Sequence, residues 1–380
     1  MLNVLIAGCG VGGLSTALYL SRDVKGKLGR EVEILAIDRD SSHCDLSHLA
    51  KVISGLPPDK ICVPYERFRR KGLDFVRGEI TAIDPGGRSL TVVTGDGRKE
   101  YDGDILVLAL GSEPDYHGIR GAKEHTYPVY NLHGALGIRE ALRGIPRQEA
   151  HDGFDCVFVG GGDCGVEFAM EAHKAAPDAK IGLIGTRAQI PVYHKRKTSN
   201  FVKRYLEKNG MELILNSRVS EVGDGYLILE RGGGENVMLK SRMTGWAAGT
   251  KPPRLIEECA LPADENGLKV NAYLQSVADE AIFGVGDINS LPTRKLAISA
   301  QQQADVVARN IVNHLRGKDL VEFVPRENPM LITLGKGMAV CEWGDFTTWG
   351  RPLDWLKKYV RFLYRLDPGN GLYRGIHRVI

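Results

Sequence analysis

Residues 2–20 read LNVLIAGCGVGGLSTALYL and decide how the fold begins. Residues 3–7 form an apolar run with the length of a buried strand, and the glycines that follow it end that run. Leu14, Ala17 and Leu18 then recur at helical spacing. The stretch therefore predicts a strand, a glycine turn and a helix.

The glycines of this turn have the spacing of a dinucleotide site. Gly8, Gly10 and Gly13 fit the pattern GxGxxG. The first glycine permits a tight turn, the second lets backbone N–H groups approach a pyrophosphate, and the third lets the helix pack closely on the strand. The next apolar strand ends on Asp38, whose carboxylate suits a ribose 2′-hydroxyl, and Arg39 follows it as a further cofactor-binding candidate. The chain therefore opens as a Rossmann-type domain.

The same pattern occurs a second time at Gly160, Gly162 and Gly165, again between an apolar strand and a helix. It predicts a second dinucleotide site. No acid follows the next strand, and Arg187 stands near its end instead. An arginine suits a 2′-phosphate better than a bare 2′-hydroxyl, which favours NADPH. The alternative is that this half keeps the fold and binds no nicotinamide.

Composition and charge exclude several classes of protein. The 380 residues are 43% hydrophobic and 26% charged, which is typical of a globular protein of two to three domains. A net charge of +3 is too small for a protein that binds nucleic acid over its whole surface. Basic residues concentrate at the C-terminus, where residues 351–380 hold seven Lys and Arg against two Asp and Glu.

The seven cysteines include no CxxC pair, so the sequence predicts neither a zinc ribbon nor a disulfide scaffold, and no metal site is expected. We expect free thiols in a reducing cytosol. The N-terminus has no basic signal region, and no apolar run approaches the length of a membrane span. These features predict a cytoplasmic protein.

The two dinucleotide patterns, together with Gly286 and Asp287 near the end, resemble the two-dinucleotide flavoprotein superfamily over roughly residues 1–325. The resemblance implies an α/β fold of two Rossmann-like domains, the second inserted in the first, that binds FAD and NAD(P)H. It implies that Asp287 holds the flavin ribityl and phosphate region and that Gly111 and Gly249 end the matching exit strands. The expected parts are residues 1–117 and 251–325 for FAD, 118–250 for NAD(P), and 326–380 as a C-terminal membrane or dimer segment.

Within this superfamily the chain resembles the type II NADH dehydrogenases and the sulfide:quinone oxidoreductases. Disulfide reductases of the superfamily need two close cysteines beside the flavin, and Cys44 and Cys62 are too far apart for that motif. The resemblance implies electron transfer to a membrane quinone. It makes Glu167, Cys164 and Lys336 catalytic candidates and places Lys295, Gln301 and Gln302 on the quinone side. For Glu167 and Lys336 the alternatives are a helix-start carboxylate and a solvent-facing turn lysine.

The electron donor stays open between NADH, NADPH and sulfide. A sulfide oxidase needs paired cysteines, for which Cys164 is one candidate and Cys341 a substitute partner, although Cys341 also suits a buried core position. A third hypothesis is a flavoprotein that reduces a soluble acidic electron-transfer protein through its basic C-terminus.

The C-terminal segment 349–366 is predicted to be an amphipathic helix at an anionic membrane surface. Its expected apolar face consists of Leu353, Leu356, Val360, Leu363 and Tyr364. Its basic residues, expected largely elsewhere, are Arg351, Lys357, Lys358, Arg361 and Arg365. The alternative is a terminal helix that packs on the core or on a homodimer partner.

Overall fold

The structure, a computed structural model, describes residues 2–24, 31–70, 72–145, 152–232 and 234–366. Its helices are α1 (Val11–Asp23), α2 (Leu49–Ile53), α3 (Leu132–Gly144), α4 (Asp163–Ala175), α5 (Arg196–Lys208), α6 (Arg254–Glu258), α7 (Ala297–Leu315) and α8 (Arg351–Leu366). Short 3₁₀ turns lie at Leu46–His48, Pro58–Lys60, Tyr65–Phe68 and Gly286–Ile288. These helices and turns surround two parallel sheets.

The first parallel sheet contains the strand that opens the chain. Its strands, in spatial order, are Ile282–Gly284, Ile105–Leu108, Leu2–Ala7, Val32–Asp38 and Leu73–Arg77. α1 and α7 pack together on one face of this sheet, where their apolar side chains join one buried core. The chain leaves the sheet after residue 108 and returns to it only at residue 282.

The second parallel sheet lies entirely within that excursion. Its strands, in spatial order, are Tyr127–Pro128, Thr244–Trp246, Cys156–Val159, Ile181–Ile184 and Glu212–Ile214. Glu113–Pro114 and Thr250–Lys251 pair antiparallel where the chain enters and leaves the insertion. The predicted fold class, one Rossmann-like fold inserted into another, is confirmed.

Each half also carries an antiparallel three-stranded meander. The strands are Glu79–Asp84, Ser89–Thr94 and Gly97–Asp102 in the first half, and Ser217–Gly223, Tyr226–Arg231 and Glu235–Lys240 in the second. Two short antiparallel pairs are Ser42–Cys44 with Cys62–Pro64 and Ala263–Asp264 with Gly267–Leu268. The two halves therefore share one plan beyond their parallel sheets.

A C-terminal antiparallel sheet covers the end of the second fold. Its strands are Met330–Thr333, Ala339–Trp343 and Phe346–Gly350, and α8 follows directly. Ile332 and Val340 of this sheet share a buried core with Phe168 of α4. No helix in the described ranges is long and apolar enough to cross a membrane. Residues 367–380 of the predicted C-terminal segment lie outside the described residues.

The expectation that all seven cysteines are free thiols is wrong for two of them. Cys44 and Cys62 form a disulfide with a Cα–Cα distance of 4.0 Å. The antiparallel strands Ser42–Cys44 and Cys62–Pro64 place the two cysteines directly opposite each other. A separation of 18 residues in the sequence hid this pairing, because it depends on how the chain folds back. The other five cysteines are free.

Candidate active site

The first glycine turn leaves open space at the N-terminus of α1. A Cβ atom at Gly8 would lie 2.5 Å from the Ala109 carbonyl oxygen, and one at Gly13 would lie 1.9 Å from the Gly8 carbonyl oxygen. A Cβ atom at Gly10 would meet nothing within 4 Å. The outer glycines therefore allow close packing of backbone on backbone, while the middle one faces room for a phosphate at the helix N-terminus.

Asp38 lies beside this turn, as the sequence predicts. Its Oδ2 accepts a hydrogen bond from the Cys9 N–H at 2.6 Å, and its Oδ1 accepts one from the Asp40 N–H at 2.9 Å. Burial raises the pKa of Asp38, and these two bonds act against that rise. The carboxylate is thus fixed next to the open space at Gly10. The side chain of Arg39 is exposed.

Asp287 is half-buried at the junction of the two folds. Burial raises its pKa, while Lys295 and a hydrogen bond from Ser112 lower it. Ser112, which follows Gly111, also lies 2.8 Å from the Tyr130 hydroxyl. Burial and the charge of Asp287 raise the pKa of Tyr130 to about 12. A phenol and a carboxylate thus share one enclosed polar region at this junction.

The second glycine turn repeats the geometry of the first. A Cβ atom at Gly160 would lie 2.2 Å from the Ala247 carbonyl oxygen, and one at Gly165 would lie 1.9 Å from the Gly160 carbonyl oxygen. A Cβ atom at Gly162 would again meet nothing within 4 Å. The turn lines a cavity of about 350 Å³ that extends along the exit strand to Gly249. This cavity has the size and the glycine-lined wall of a dinucleotide site.

The arginine that lines this cavity is Arg218, whereas the sequence indicates Arg187. Thr186 and Arg218 line the cavity, whereas Arg187 is an exposed residue outside its lining. Arg218 comes from the strand Ser217–Gly223, so no local motif links it to the glycine turn. Sequence reasoning missed it for that reason. Whether Arg187 contacts a 2′-phosphate stays a prediction.

Glu167 of α4 is held by three hydrogen bonds to one oxygen. Its Oε1 accepts from the Thr333 N–H at 2.7 Å, the Thr333 hydroxyl at 2.8 Å and Lys357 Nζ at 2.6 Å. Burial would raise the pKa of Glu167, but the Lys357 charge and these bonds lower it overall. Glu167 is therefore an ionised carboxylate that joins α4 to the C-terminal sheet and to α8.

Cys164 lies one helical turn before Glu167. Its side chain reaches solvent. Desolvation by the surrounding protein and the charges of Glu167 and Asp163 nevertheless raise its pKa to about 12. At neutral pH the group is a thiol, not the thiolate that nucleophilic attack requires. Cys341 is also a free cysteine, with its pKa raised by burial and by Glu342.

α8 turns charged side chains inward and aromatic side chains outward. Lys357 binds Glu167, Arg361 Nη1 lies 2.9 Å from Asp45 Oδ1, and the Tyr364 hydroxyl lies 2.8 Å from His43 Nε2. Its outward face consists of Trp355 (75% exposed), Leu356 (49%), Tyr359 (59%) and Phe362 (57%). The predicted apolar face is therefore divided: Leu356 lies on the outward face, as a membrane helix requires, whereas Tyr364 lies inward beside Lys357 and Arg361. Periodicity could not reveal this, because the acids that bind the basic residues lie far away in the sequence.

The model of the pyridine nucleotide-disulphide oxidoreductase family matches residues 2–304. The chain belongs to this family. Type II NADH:quinone oxidoreductase of Staphylococcus aureus strain MSSA476 is 27% identical over 388 residues, which cover 94% of both chains. The relative of the same name from strain NCTC 8325 / PS 47 is 28% identical over 363 residues, or 88% of this chain and 87% of the relative.

Solved structures share the fold of this oxidoreductase. NDH2 of Plasmodium falciparum in complex with NADH has a TM-score of 0.83 at 16% identity, over 95% of this chain and 94% of that one. The sulfide:quinone oxidoreductase of Aquifex aeolicus has a TM-score of 0.83 at 20% identity, over 97% and 92%. With the family match, these relatives confirm the resemblance that the two glycine patterns predict.

The remaining candidate residues of this oxidoreductase occupy varied positions. Lys336 is exposed, and its Nζ donates to Asn209 Oδ1 at 3.1 Å rather than to the Glu167 cluster. Lys295 Nζ donates to the Asp287 carbonyl oxygen at 2.8 Å. Gln302 donates to Asn328 Oδ1 at 3.0 Å. Gln301 is buried, and its Nε2 has no hydrogen-bond partner within the part of the chain that the structure describes.

Proposed function

We propose that this chain is an FAD-dependent enzyme that passes electrons from NAD(P)H to a quinone at a membrane surface. The observation that carries the proposal is the pair of matching glycine turns, each with open space at its middle glycine. Asp287 and Glu167 both act on the pKa of Cys164, so the three side chains belong to one polar cluster at the second turn. The names of the curated relatives add the quinone as electron acceptor.

The first fold suits FAD. Gly8, Gly10 and Gly13 form the cradle for the pyrophosphate, and Asp38 offers a fixed carboxylate to a ribose hydroxyl. Asp287 is a half-buried carboxylate that would bind the ribityl and phosphate region. Bound FAD supplies the chemistry that joins a two-electron donor to a quinone. The chain itself binds, orients and shields the reacting groups.

The second fold suits the nicotinamide dinucleotide. Gly160, Gly162 and Gly165 repeat the cradle, and Thr186 with Arg218 lines the same cavity. Arg218 lines this cavity, and no carboxylate of the described residues does. This lining favours NADPH at least as much as NADH. Arg187 is exposed outside this lining and is our second candidate for a 2′-phosphate contact.

Glu167 and Lys357 are our candidates for proton transfer to the quinone. Lys357 Nζ donates to the ionised Glu167, and Thr333 fixes the accepting oxygen. Reduction of a quinone to a quinol takes up two protons; the ionised Glu167 would accept each of them from solvent and pass it on to the quinone. Lys295, Gln301 and Gln302 remain our quinone-side candidates. Of these, Gln301 offers a buried amide N–H donor that has no hydrogen-bond partner in the described ranges.

The outward aromatic face of α8 is our candidate membrane surface. Trp355, Tyr359 and Phe362 are each more than half exposed, and aromatic side chains favour the membrane–water interface. Since Lys357 and Arg361 bind buried acids, they add little to attraction by anionic lipid. We therefore attribute membrane binding mainly to apolar insertion. A homodimer formed through the same face is the alternative.

Turnover with a matched pair of glutamate variants tests this proposal. Glu167→Gln should lower quinone reduction about 100-fold, because it removes a proton carrier, while reduction of the flavin by NAD(P)H continues. Glu171→Gln is the control, since Glu171 is also buried on α4 and also binds a lysine, Lys174, at 3.3 Å. Its quinone turnover should stay within a few-fold of wild type. Equal losses in both variants would remove Glu167 from proton transfer.

Purified protein should also be yellow, with one FAD per chain, and Asp287→Ala should lose the flavin. Protein that carries no flavin and takes up none would overturn the proposed activity.

The triple variant Trp355→Ser, Tyr359→Ser and Phe362→Ser should lose binding to vesicles and keep flavin reduction. If the triple variant still binds vesicles, the face is not the membrane surface.

A further inference from the structure

His194 is buried between two carboxylates that come from different parts of the fold. Its Nε2 lies 2.9 Å from Asp163 Oδ1, and its Nδ1 lies 3.3 Å from Glu342 Oε1. Asp163 is the first residue of α4, and Glu342 belongs to the C-terminal sheet. Burial would lower the pKa of His194, but its bond to Asp163 and the charges of both acids raise it overall. The bridge therefore favours a protonated imidazole.

The bridge is attached to the second nucleotide turn. The Val192 N–H donates to the Gly161 carbonyl oxygen at 3.1 Å, two residues before His194. Val192 and Tyr193 line the same cavity of about 350 Å³ as the glycine turn. The segment that carries His194 is thus one wall of that cavity. His194 itself lines a neighbouring cavity of about 580 Å³, so it acts on the glycine turn through Asp163, the residue after Gly162.

Asp163 is an unexpected residue at this position. The N-terminus of a helix attracts a pyrophosphate through its N–H groups and its dipole. A carboxylate at the first position of α4 adds a negative charge at the same end and opposes a second anion. A protonated His194 in contact with Asp163 cancels that charge.

We propose that His194 is a positioning residue that neutralises Asp163 at the N-terminus of α4, directly after the second glycine turn, so that NAD(P)H binds tightly only while His194 is protonated. This inference rests on the proposed function, because it assumes that the second fold binds the dinucleotide. It adds a built-in dependence of that site on pH. Asp163 occupies a variable position of the GxGxxG pattern and His194 lies outside it, so the dependence is a property of this chain.

Other charged groups face the bridge from neighbouring elements. Glu342 Oε2 also accepts from the Lys195 N–H at 2.9 Å, and Lys195 Nζ pairs with Asp345. Arg294 faces His194 from the segment before α7 and opposes its protonation. Glu327 faces Lys195 from the linker that precedes the C-terminal sheet. Carboxylates and Lys or Arg side chains ordinarily titrate outside about pH 6 to about pH 9, which leaves His194 as the group that changes.

Binding of the nucleotide to the FAD-loaded protein tests the inference. NAD⁺ affinity by calorimetry and NADH affinity from anaerobic stopped-flow saturation are measured at about pH 6 and about pH 9. The wild-type Kd should rise about tenfold across this range, with little change in the limiting rate of flavin reduction. His194→Gln should bind about tenfold more weakly at the lower pH and lose the pH dependence. Asp163→Asn should bind tightly at both pH values.

His173→Gln is the matched control, because His173 is a half-buried histidine on the same helix that faces Lys336 instead of Asp163. It should keep the wild-type slope. An unchanged slope in both His194→Gln and Asp163→Asn would overturn the inference and leave the proposed function intact. Wild type that binds neither NAD⁺ nor NADH at either pH would overturn both. Should His194→Gln fail to fold, Asp163→Asn alone decides, since it predicts tight binding without pH dependence.

Discussion

The two halves of the molecule form the same glycine turn but differ in the residue at the end of the second strand. The Gly8 N–H donates to the Ile37 carbonyl oxygen at 2.8 Å, and the Gly160 N–H donates to the Ile184 carbonyl oxygen at 2.9 Å. The residue after Ile37 is Asp38, whereas the residue after Ile184 is Gly185. The glycines therefore shape the same backbone turn in both halves, and we propose that the residue at the end of the second strand decides which dinucleotide each half receives.

Substitution of the outer glycines should have the largest effect and tests whether the two turns serve different nucleotides. Gly13→Ala and Gly165→Ala each place a Cβ atom 1.9 Å from a carbonyl oxygen, so each should cost about 3 kcal/mol or more of unfolding free energy. Gly13→Ala should yield little flavin-loaded protein. Gly165→Ala should keep a larger share of its FAD and lose reduction by NAD(P)H. Denaturant unfolding with flavin quantification measures both.

The middle glycines provide the control. Gly10→Ala and Gly162→Ala meet nothing within 4 Å, so both variants should unfold like wild type. Only nucleotide binding should weaken, FAD in the first case and NAD(P)H in the second. If either variant loses stability as much as its outer neighbour, the open space at the middle glycine does not exist.

The disulfide is a second difference between the halves, because it lies in an arm that follows Asp38. Replacing Cys44 and Cys62 by serine opens a loop closed across 18 residues and should cost about 3 kcal/mol. The loss should also loosen α8, since His43 and Asp45 flank Cys44 and bind Tyr364 and Arg361. Denaturation with and without a reductant measures the effect. The double variant should not respond to reductant, and seven titratable thiols in the wild type would contradict the disulfide.

Gly185→Asp has the smallest expected effect of these substitutions. It tests whether the residue at the end of the second strand sets the choice between NADH and NADPH. A Cβ atom at Gly185 would lie 3.4 Å from its nearest neighbour, so an aspartate fits without distorting the turn. It restores the acid of the first fold and should shift the ratio of kcat/KM for NADH over NADPH about tenfold towards NADH. Steady-state kinetics with both donors measures the ratio. A ratio that stays within twofold of wild type would separate donor choice from this position.

Local patterns in the sequence predicted the two turns because each one lies within a short stretch. Gly8 to Gly13 and Gly160 to Gly165 carry their own spacing, and apolar runs mark the strands on either side. The insertion of one fold in the other was implied by the resemblance to the two-dinucleotide flavoproteins. Asp38 lies beside the first turn, as the sequence predicted.

The features that the sequence did not reveal all depend on distant partners. Arg218 reaches the second cavity from a meander strand, and Cys44 meets Cys62 only because two strands fold back on each other. The inward face of α8 is polar because its Lys357 and Arg361 pair with Glu167 and Asp45, which lie far away in the sequence. Helical periodicity groups apolar residues on one face, so it placed Tyr364 with Leu356 and apart from Lys357 and Arg361.

Anaerobic stopped-flow bleaching of the oxidised flavin tests the central claim most directly, because that claim joins both turns in one reaction. NADH, NADPH and sulfide are mixed side by side with wild type and with Gly162→Ala. We predict rapid bleaching by NADPH and NADH in wild type, little bleaching by sulfide, and a much higher nucleotide requirement in Gly162→Ala. Bleaching by sulfide alone, or nucleotide bleaching that Gly162→Ala leaves unchanged, would contradict the assignment of the second turn to NAD(P)H.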